Sequence, residues 1–328
     1  MRILVSGATG FIGRHLTAAL LDQGDHVCAL VRHTSNTTVL PAGVETLIGD
    51  VTNQKSLTAA VAGADIVFHL AALLRAPWRR DFVGANAGGT ENMAKACAGV
   101  VPRLIIVSSL AAGGPVALGR IRDEWMPPVP VSQYGRTKLA GERAARRFAD
   151  ELSISIARPP IVIGEFDRNS LGLFRAAAHG IAVTPTREPA PVTVIHAADL
   201  AQALMRIASK GELATAENGD DQSGVYYTPG APALDMIELG QRIGQAMDIK
   251  VRGFRLPKRV TWLAAAATEA VGRLTNTPQF FGLDKYREAT GGSWACSGQK
   301  LAEIGFSPMP LQARLEQTAS WYQSQGLL

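Results

Sequence analysis

The sequence predicts an α/β fold with a doubly wound parallel sheet, followed by a smaller and mostly C-terminal domain. Two observations predict this fold. Short runs rich in β-branched residues alternate with helical patterns, which is typical of parallel strands joined by crossover helices. A glycine-rich turn, GATGFIG, connects the first of these strands to the first helix. Because 47% of the 328 residues are hydrophobic, the chain can bury a large core.

The elements follow in order along the first half of the chain. The first strand is predicted over 2–7 and the first helix over 11–24, where Gly24 is placed to end the helix. Apolar runs predict further strands at 26–32, 44–50, 65–71, 103–109 and 153–159. Helical patterns cover 86–99 and the stretch from Tyr134 to about Leu152.

The second half is less regular. After Gly164 the alternation weakens, although 192–208 fits one more strand and helix. We therefore predict a Rossmann-type nucleotide-binding domain over 1–165, to which 192–210 returns, and a substrate-binding domain over 166–328.

Bulk properties exclude several classes of protein. The net charge is only +5, and no dense Lys/Arg run interleaved with aromatics is present, so nucleic acid is not an expected partner. The three cysteines are far apart without a CxxC pair, which predicts neither a metal site nor disulfides and favours the reducing cytoplasm. We see no signal peptide and no window of the roughly 20 apolar residues that a transmembrane segment needs.

The glycine-rich turn predicts a dinucleotide site. Gly7, Gly10 and Gly13 stand between a strand and a helix, where glycine lets backbone N–H groups approach a pyrophosphate at the positive end of the helix dipole. The other positions of this loop expected to contact the cofactor are Thr9, Phe11 and Ile12.

The end of the second strand predicts which dinucleotide is bound. NAD sites usually carry an acidic residue there for the ribose 2′-hydroxyl, but this chain has Arg32, followed by Thr34 and Ser35. A guanidinium and hydroxyls suit a 2′-phosphate, so we expect NADP in preference to NAD. Asp50 and Val51 follow the third strand beside the adenine, and the residues that line the cofactor after the fourth strand are Leu70, Ala71 and Ala72.

A second motif, SQYGRTK, predicts proton transfer. Tyr134 and Lys138 are four positions apart, so a helix places them on the same face. A phenol with an ordinary pKa of about 10 is a poor acid or base at neutral pH, but a nearby ammonium lowers that pKa.

These motifs together resemble one family. GATGFIG, GDV (49–51), FHLAA (68–72), NAGGT (86–90), IIVSS (105–109), YGRTK and RPPIVIG (158–164) occur in the order seen in extended short-chain dehydrogenases/reductases, the NAD-dependent epimerase/dehydratase group. The resemblance spans nearly the whole chain. The form RPP is similar to the branch of dihydroflavonol reductases and 3β-hydroxysteroid-type enzymes.

The resemblance implies roles for individual residues. Tyr134 would be the catalytic acid/base, Lys138 would hold the nicotinamide ribose, and Ser109 would hydrogen-bond the substrate oxygen, with Ser108 as its alternative. Asn86 would support the cofactor side of the site. The residues beside the nicotinamide would be Pro159, Pro160 and Ile161.

Several assignments stay open. Nucleotide-sugar members carry an asparagine where this chain has Ile161, which argues against a sugar-nucleotide substrate. The arginines after the fourth strand, Arg75, Arg79 and Arg80, fit a solvated loop better than an anion site. His69 and His196 are expected to be structural. The helix over 259–274 has one apolar stripe, which we expect to pack on the C-terminal domain, with a lid or a membrane contact as alternatives: Val260, Leu263, Ala264, Ala267, Val271 and Leu274.

The sequence thus favours an NADP(H)-dependent oxidoreductase. It would transfer a hydride to or from a secondary alcohol or ketone on a fairly apolar small molecule, using Ser109, Tyr134 and Lys138. The alternatives are a nucleotide-sugar epimerase or dehydratase with bound NAD, and a cofactor-binding regulatory protein without turnover. A homodimer is left open.

Overall fold

The computed structural model describes residues 1–74, 78–186, 188–216, 222–275 and 282–328, with the backbone alone described for Arg79 and Arg273. The strands in these ranges are β1 Arg2–Ser6, β2 His26–Val31, β3 Glu45–Ile48, β4 Ile66–His69, β5 Arg103–Val107, β6 Ser153–Arg158, β7 Ile161–Ile163, β8 Ile181–Thr184, β9 Val194–His196, β10 Val225–Tyr227 and β11 Arg252–Arg255. Seven of them form one sheet in the order β10-β6-β5-β4-β1-β2-β3, with every pair parallel. The predicted fold class is therefore confirmed.

Helices cover both faces of the sheet and build the rest of the molecule. They are α1 Phe11–Asp22, α2 Gln54–Val61, α3 Arg79–Phe82, α4 Gly89–Cys97, α5 Leu110–Gly113, α6 Gln133–Arg146, α7 Leu171–Ala178, α8 Ala197–Lys210, α9 Met236–Gln245, α10 Lys258–Leu274, α11 Leu283–Thr290, α12 Gln299–Glu303 and α13 Leu311–Ser324. A π-helical turn, Val83–Gly88, leads into α4. Within the described residues, no helix is long and apolar enough to cross a membrane.

The core has three parts. One face of the large sheet packs on α2 and α4 through residues such as Leu57 and Met93. The other face packs on α1 and α8, whose Leu16 and Leu200 lie in one cluster with Phe68. The third cluster joins α7, α9 and α13 around the small strands, and its largest members are Phe174, Leu239, Leu315 and Tyr322.

The structure differs from the predicted elements in two places and agrees with the predicted end of α1. Helix α6 ends at Arg146, not near Leu152. Strand β10 has only three residues, which is too short for a periodic signal, and its pairing with β6 defines it. Gly24 does follow the end of α1, with a φ of +82° that a side chain would disfavour.

The apolar stripe of α10 does not pack inward as expected. Its large members, Val260, Leu263, Val271 and Leu274, are all exposed. The small residues Thr261, Ala265 and Gly272 form the buried side. Small side chains let α10 lie close to its neighbour α11, so the large apolar residues are left on the outside.

A buried ion pair connects the sheet to α6. Arg158, at the end of β6, donates from Nη2 to Glu142 Oε2 on α6 at 2.6 Å, and both side chains are almost completely buried. Arg158 also donates from Nη1 to Gln222 Oε1 at 2.8 Å and to the Tyr227 hydroxyl at 3.2 Å. Ser108 donates its hydroxyl to the other oxygen of Glu142. The carboxylate raises the pKa of Arg158 and offsets the cost of burying both charges.

Replacing Arg158 by methionine should therefore strongly destabilise the fold. The variant leaves a buried carboxylate without its counter-charge, which costs about 3–5 kcal/mol of unfolding free energy. The matched control is Arg242→Met, since Arg242 pairs with Glu238 on the exposed surface of α9, where such a pair contributes about 0.3–0.5 kcal/mol. Urea titration followed by circular dichroism measures both. Equal losses in the two variants would contradict the role of the buried pair.

Candidate active site

The glycine-rich turn lies at the carboxyl edge of the sheet between β1 and β4, where the strand order reverses and α/β proteins bind nucleotides. Gly7 has a φ of +75°, and a Cβ there would stand 2.8 Å from the Ala71 backbone nitrogen. A Cβ on Gly13 would stand 2.3 Å from the Gly7 carbonyl oxygen. No side chain caps the N-terminus of α1, whose cap residue is Gly10. The turn and the free helix end therefore fit the pyrophosphate of a dinucleotide.

A buried histidine holds the strands on either side of this cradle. His69 Nδ1 lies 2.8 Å from the Ser6 hydroxyl, and its Nε2 lies 3.2 Å from the Thr90 hydroxyl. Burial lowers the pKa of His69 to about 3, so the ring is neutral. Ser6 also accepts from the Ala71 amide at 3.3 Å. The contacts agree with a structural role and fix the loop that contains Leu70, Ala71 and Ala72.

Arg32 and Asp50 lie close together, just after the ends of β2 and β3. Arg32 is exposed at the end of β2, and its backbone N–H donates to Ser35 Oγ at 3.0 Å. The Asp50 carboxylate accepts from the Thr52 amide at 2.8 Å and from its hydroxyl at 2.7 Å. These bonds lower the pKa of Asp50, and the charge of Arg32 lowers it further. Val51 packs on Gly89 at the start of α4.

The residues predicted for catalysis meet at the ends of β5 and α6. Ser109 follows β5 and caps α5, accepting from the Ala111 amide at 3.1 Å. Its hydroxyl lies close enough to Tyr134, the second residue of α6, to lower the pKa of the phenol in part. Helices α5 and α6 approach so closely at Gly135 that a Cβ would stand 2.2 Å from the Ala111 carbonyl oxygen. This contact sets the position of the phenol.

Burial dominates the pKa of Tyr134. Tyr134 is only 9% exposed and packs with Phe82, Ala111 and Trp294. Burial raises the pKa of its phenol, the Ser109 hydroxyl lowers it in part, and the charge of Glu288 raises it. In the chain by itself burial outweighs the groups that lower this pKa, so the phenol is protonated at neutral pH. The expectation that Lys138 lowers it stays a prediction.

Lys138 lies one helical turn after Tyr134. Its Nζ donates to the Val107 carbonyl oxygen at 2.8 Å, and the side chain is buried. Burial lowers the pKa of Lys138 to about 8, while the carboxylate of Glu142 acts in the opposite direction. The pKa of the Lys138 ammonium therefore lies about one unit above neutral pH.

Asn86 connects α6 to the loop after β4. Its Oδ1 accepts from the Leu73 amide at 2.8 Å, and its Nδ2 donates to the Leu73 carbonyl at 3.0 Å and to the Thr137 hydroxyl at 3.2 Å. Thr137 lies between Tyr134 and Lys138 on the helix. Asn86 therefore couples the predicted cofactor loop to the helix that carries both residues.

The two serines after β5 have different partners. Ser108 donates its hydroxyl to Glu142, whereas Ser109 accepts from the Ala111 amide and lowers the pKa of the nearby Tyr134. The next predicted segment lies beside them, because the Leu110 amide donates to the Pro159 carbonyl at 2.8 Å. Pro160 and Ile161 are half-buried. The sequence reasoning missed Glu142, although its spacing of four from Lys138 was a usable signal.

Helix α11 covers the predicted catalytic residues, which the sequence analysis did not foresee. Asp284 accepts from the backbone amides of Gln133 at 2.9 Å and Tyr134 at 3.3 Å, at the N-terminus of α6. Lys285 Nζ lies 5.8 Å from the centre of the Tyr134 ring and pairs with Glu288 at 2.6 Å. An amphipathic segment far along the chain thus supplies one wall of the site.

The remaining candidates lie elsewhere. His196 caps α8 by accepting from the Ala198 amide at 3.2 Å, and its Nε2 lies 3.3 Å from Glu165, which agrees with a structural role. Arg80 is exposed, while Arg75 and the side chain of Arg79 lie outside the described residues. In the described part of the chain, one group could hold a metal: His26, Cys28 and Glu45. Arg2 already lies 3.4 Å from the shared Glu45 oxygen.

Comparisons with known proteins identify the family. The family model described as NAD dependent epimerase/dehydratase family matches residues 3–218. A ceramide reductase from Caulobacter vibrioides is 32% identical over 330 residues, covering 99% of this chain and 96% of the relative. A 3 beta-hydroxysteroid dehydrogenase/Delta 5-->4-isomerase from Mycobacterium tuberculosis is 29% identical over 277 residues, and the alignment covers 78% of this chain and 71% of the relative.

A solved structure confirms the fold independently. The Thermus thermophilus UDP-glucose 4-epimerase, in complex with NAD, superimposes with a TM-score of 0.75 at 20% identity, covering 98% of this chain and 99% of the other. Both the sequence relatives and the fold agree with the motifs around the cradle. The chain therefore belongs to the NAD dependent epimerase/dehydratase family, within the short-chain dehydrogenases/reductases, and is an NAD(P)-dependent oxidoreductase.

Proposed function

We propose that this protein uses NADP(H) to transfer a hydride to or from a secondary alcohol or ketone of an apolar, lipid-sized molecule. The observations that carry the proposal are the position of Ser109 beside the Tyr134 phenol, whose pKa its hydroxyl lowers in part, and Lys138 one turn further along the same helix. Ser109 and Lys138 lie at the carboxyl end of β5, and in the sheet only β4 stands between β5 and β1, the strand that leads into the glycine turn. A protein that only binds a cofactor has no need for a hydroxyl pair of this kind.

Each of these residues has a distinct task in the proposed reaction. The reduced nicotinamide supplies the hydride when it is bound. Ser109 orients the substrate oxygen, and Tyr134 donates its phenolic proton to that oxygen as the carbonyl becomes an alcohol. Lys138 hydrogen-bonds the ribose and adds positive charge near the phenol. The protonated phenol of Tyr134 donates when a ketone is reduced, and in the reverse reaction the same oxygen accepts the proton of the alcohol.

The walls of the site support an apolar substrate. Phe82, Ala111 and Trp294 surround the Tyr134 ring. Ile161 offers no side-chain hydrogen bond where sugar-nucleotide enzymes use an amide, so the epimerase alternative has no support from this position. The relative named ceramide reductase covers nearly the whole chain. Ketone-bearing lipids of the ceramide type and ketosteroids are therefore the first substrates to test.

The preference for NADP rests on the end of β2. The similar solved structure holds NAD, so the proposal depends on Arg32, which is exposed there with Ser35 beside its backbone. In the described residues all three cysteines are free and buried, which supports our proposal of a cytoplasmic protein.

Replacing Tyr134 by phenylalanine should abolish most turnover while the fold and cofactor binding persist. The change removes one hydroxyl from a site proposed to transfer a proton, a step that contributes roughly 10²–10⁴-fold. NADPH oxidation with a panel of ketones measures the loss. Tyr226→Phe, a buried tyrosine on β10 away from the site, is the control. Near-normal turnover of Tyr134→Phe would refute the acid/base assignment.

The variant Arg32→Asp should weaken NADP(H) binding and improve NAD(H) binding. A carboxylate repels the 2′-phosphate and accepts from the ribose hydroxyls, and one hydrogen bond to a charged group contributes about 1.5–3 kcal/mol. That is roughly a 10- to 150-fold change in dissociation constant. Arg136→Asp reverses an exposed charge on α6 and serves as the control. If the unaltered protein binds NAD as tightly as NADP or more tightly, the proposed role of Arg32 is wrong and its side chain is only a solvated residue at the end of β2.

Affinity for NADPH should fall as the pH rises through about 8, the pKa of Lys138. Above that pH the side chain is neutral and loses its charge near the cofactor. Unfolding does not explain this loss of affinity. The pKa of Lys138 is about 8 in the folded protein and 10.5 in the unfolded chain, so between these two pH values the unfolded chain binds more protons. The free energy of unfolding therefore rises with pH over this range.

Fluorescence titration of NADPH between pH 7 and 9 tests the titration of Lys138. Lys138→Met should bind more weakly and without pH dependence over this range. A flat profile in the unaltered protein would contradict the prediction. The same slope in both proteins would show that a group other than Lys138 titrates.

A further inference from the structure

Helix α10 presents its large apolar side chains to the outside. Val260 is 53% exposed, Leu263 61%, Val271 53% and Leu274 87%. With 100° per residue, these four positions fall within an arc of roughly 80°, so they form one stripe. In a helix that packs on a core, the large apolar residues face inward, whereas here the buried positions are Thr261, Ala265 and Gly272.

A second exposed apolar patch precedes α10 in the chain. Strands β8 and β11 pair in parallel, and Val183 and Phe254 are partners in register. Both are exposed, as is Ile181 two residues before Val183 on the same face. Only Leu256 and Pro257 separate β11 from α10. We call the α10 stripe together with Ile181, Val183 and Phe254 the apolar surface.

The charge of this segment is mostly positive. Residues 249–268 contain five cations and no aspartate or glutamate, and Asp248 and Glu269 stand at either side of this range. Arg255 pairs with Asp235. The other four cations are exposed, at the edge of β11 and in the first turn of α10: Lys250, Arg252, Lys258 and Arg259.

We propose that the apolar surface docks on an anionic lipid surface, with α10 lying in the plane of the interface. Exposed Leu, Val and Phe side chains would enter the boundary between headgroups and acyl chains, while the flanking cations contact anionic headgroups. The proposal does not depend on the reaction proposed above.

A second copy of the chain fits this surface less well. A two-fold dimer places the same surface on both partners, so the four exposed cations would oppose one another. The acidic residues that flank them, Asp248 and Glu269, are outnumbered by these cations, and Glu269 already accepts from the Leu283 amide. An anionic lipid surface supplies negative charge opposite these cations, whereas a second copy of the chain does not. This charge complementarity favours the lipid surface.

The docked helix would lie next to the candidate site. Glu269 on α10 accepts from the Leu283 amide at the start of α11 at 2.9 Å, and Asp284 of α11 accepts from the Tyr134 amide. A cleft of about 490 Å³ opens at the base of α10, between Pro257, Lys258 and Gly292. If the proposed function is right, an apolar substrate held in the lipid would have a short route to this side of the molecule.

Vesicle flotation with the full chain tests the proposal. Vesicles of phosphatidylcholine with phosphatidylglycerol should carry the protein upward, vesicles of phosphatidylcholine alone should carry much less, and added salt should reduce binding. Val260→Ser with Leu263→Ser should lower the bound fraction severalfold. The matched control, Val100→Ser with Met309→Ser, changes two similarly exposed apolar residues elsewhere.

A second pair of variants tests the charges. Lys258→Glu with Arg259→Glu should weaken binding by about tenfold or more, because each cation near an anionic surface contributes roughly a fivefold factor. Lys55→Glu with Lys95→Glu, exposed on α2 and α4, is the control. Circular dichroism and NADPH affinity should be unchanged in all variants, which separates this proposal from failure of the proposed reaction.

Three results would overturn the proposal. If the full chain does not float with vesicles that contain phosphatidylglycerol, the proposal is refuted. Equal losses in the α10 variants and their controls would show that the apolar surface is not the contact. Light scattering could find that the unaltered protein is a dimer and that the α10 variants are monomers. If the same variants float as well as the unaltered protein, the surface binds a second copy of the chain.

Discussion

The carboxylate of Glu142 is the charge on which the candidate site depends. It neutralises Arg158 at the end of β6, accepts from Ser108 at the end of β5, and acts on Lys138 one turn earlier in α6. One buried group thus fixes two strand ends and the helix that carries Tyr134. Because its partners are also buried, none of these charges can relax into water, and the geometry is correspondingly rigid.

Burial then sets the chemistry of the two neighbouring titratable groups in opposite directions. The pKa of the Tyr134 phenol rises and the pKa of Lys138 falls, since low polarity disfavours each charged form. A protonated phenol beside Ser109 is ready to donate to a carbonyl oxygen. The covering helix α11 contributes to this burial, because Asp284 ties its N-terminus to the N-terminus of α6.

Local patterns predicted much of this arrangement. The turn at Gly7–Gly13 and the pair Tyr134 and Lys138 are short-range signals, because a strand–turn–helix junction and an i,i+4 spacing have geometry of their own. The contact between Asp284 and α6 joins residues about 150 positions apart, and no spacing indicates it. The stripe on α10 was visible as a pattern, but periodicity does not reveal whether a stripe faces a core or the outside. Only the buried Thr261, Ala265 and Gly272 settle that.

The central claim is that hydride passes between the cofactor and the substrate carbon beside Tyr134. The most direct test uses NADPH deuterated at the transferable C4 position with ketone-bearing ceramide-type lipids and ketosteroids, followed by mass spectrometry of the products. The account predicts one deuterium at the new carbinol carbon for each NADPH oxidised. Turnover that leaves the label on the cofactor, or reaction of a nucleotide sugar without net NADPH oxidation, would contradict it.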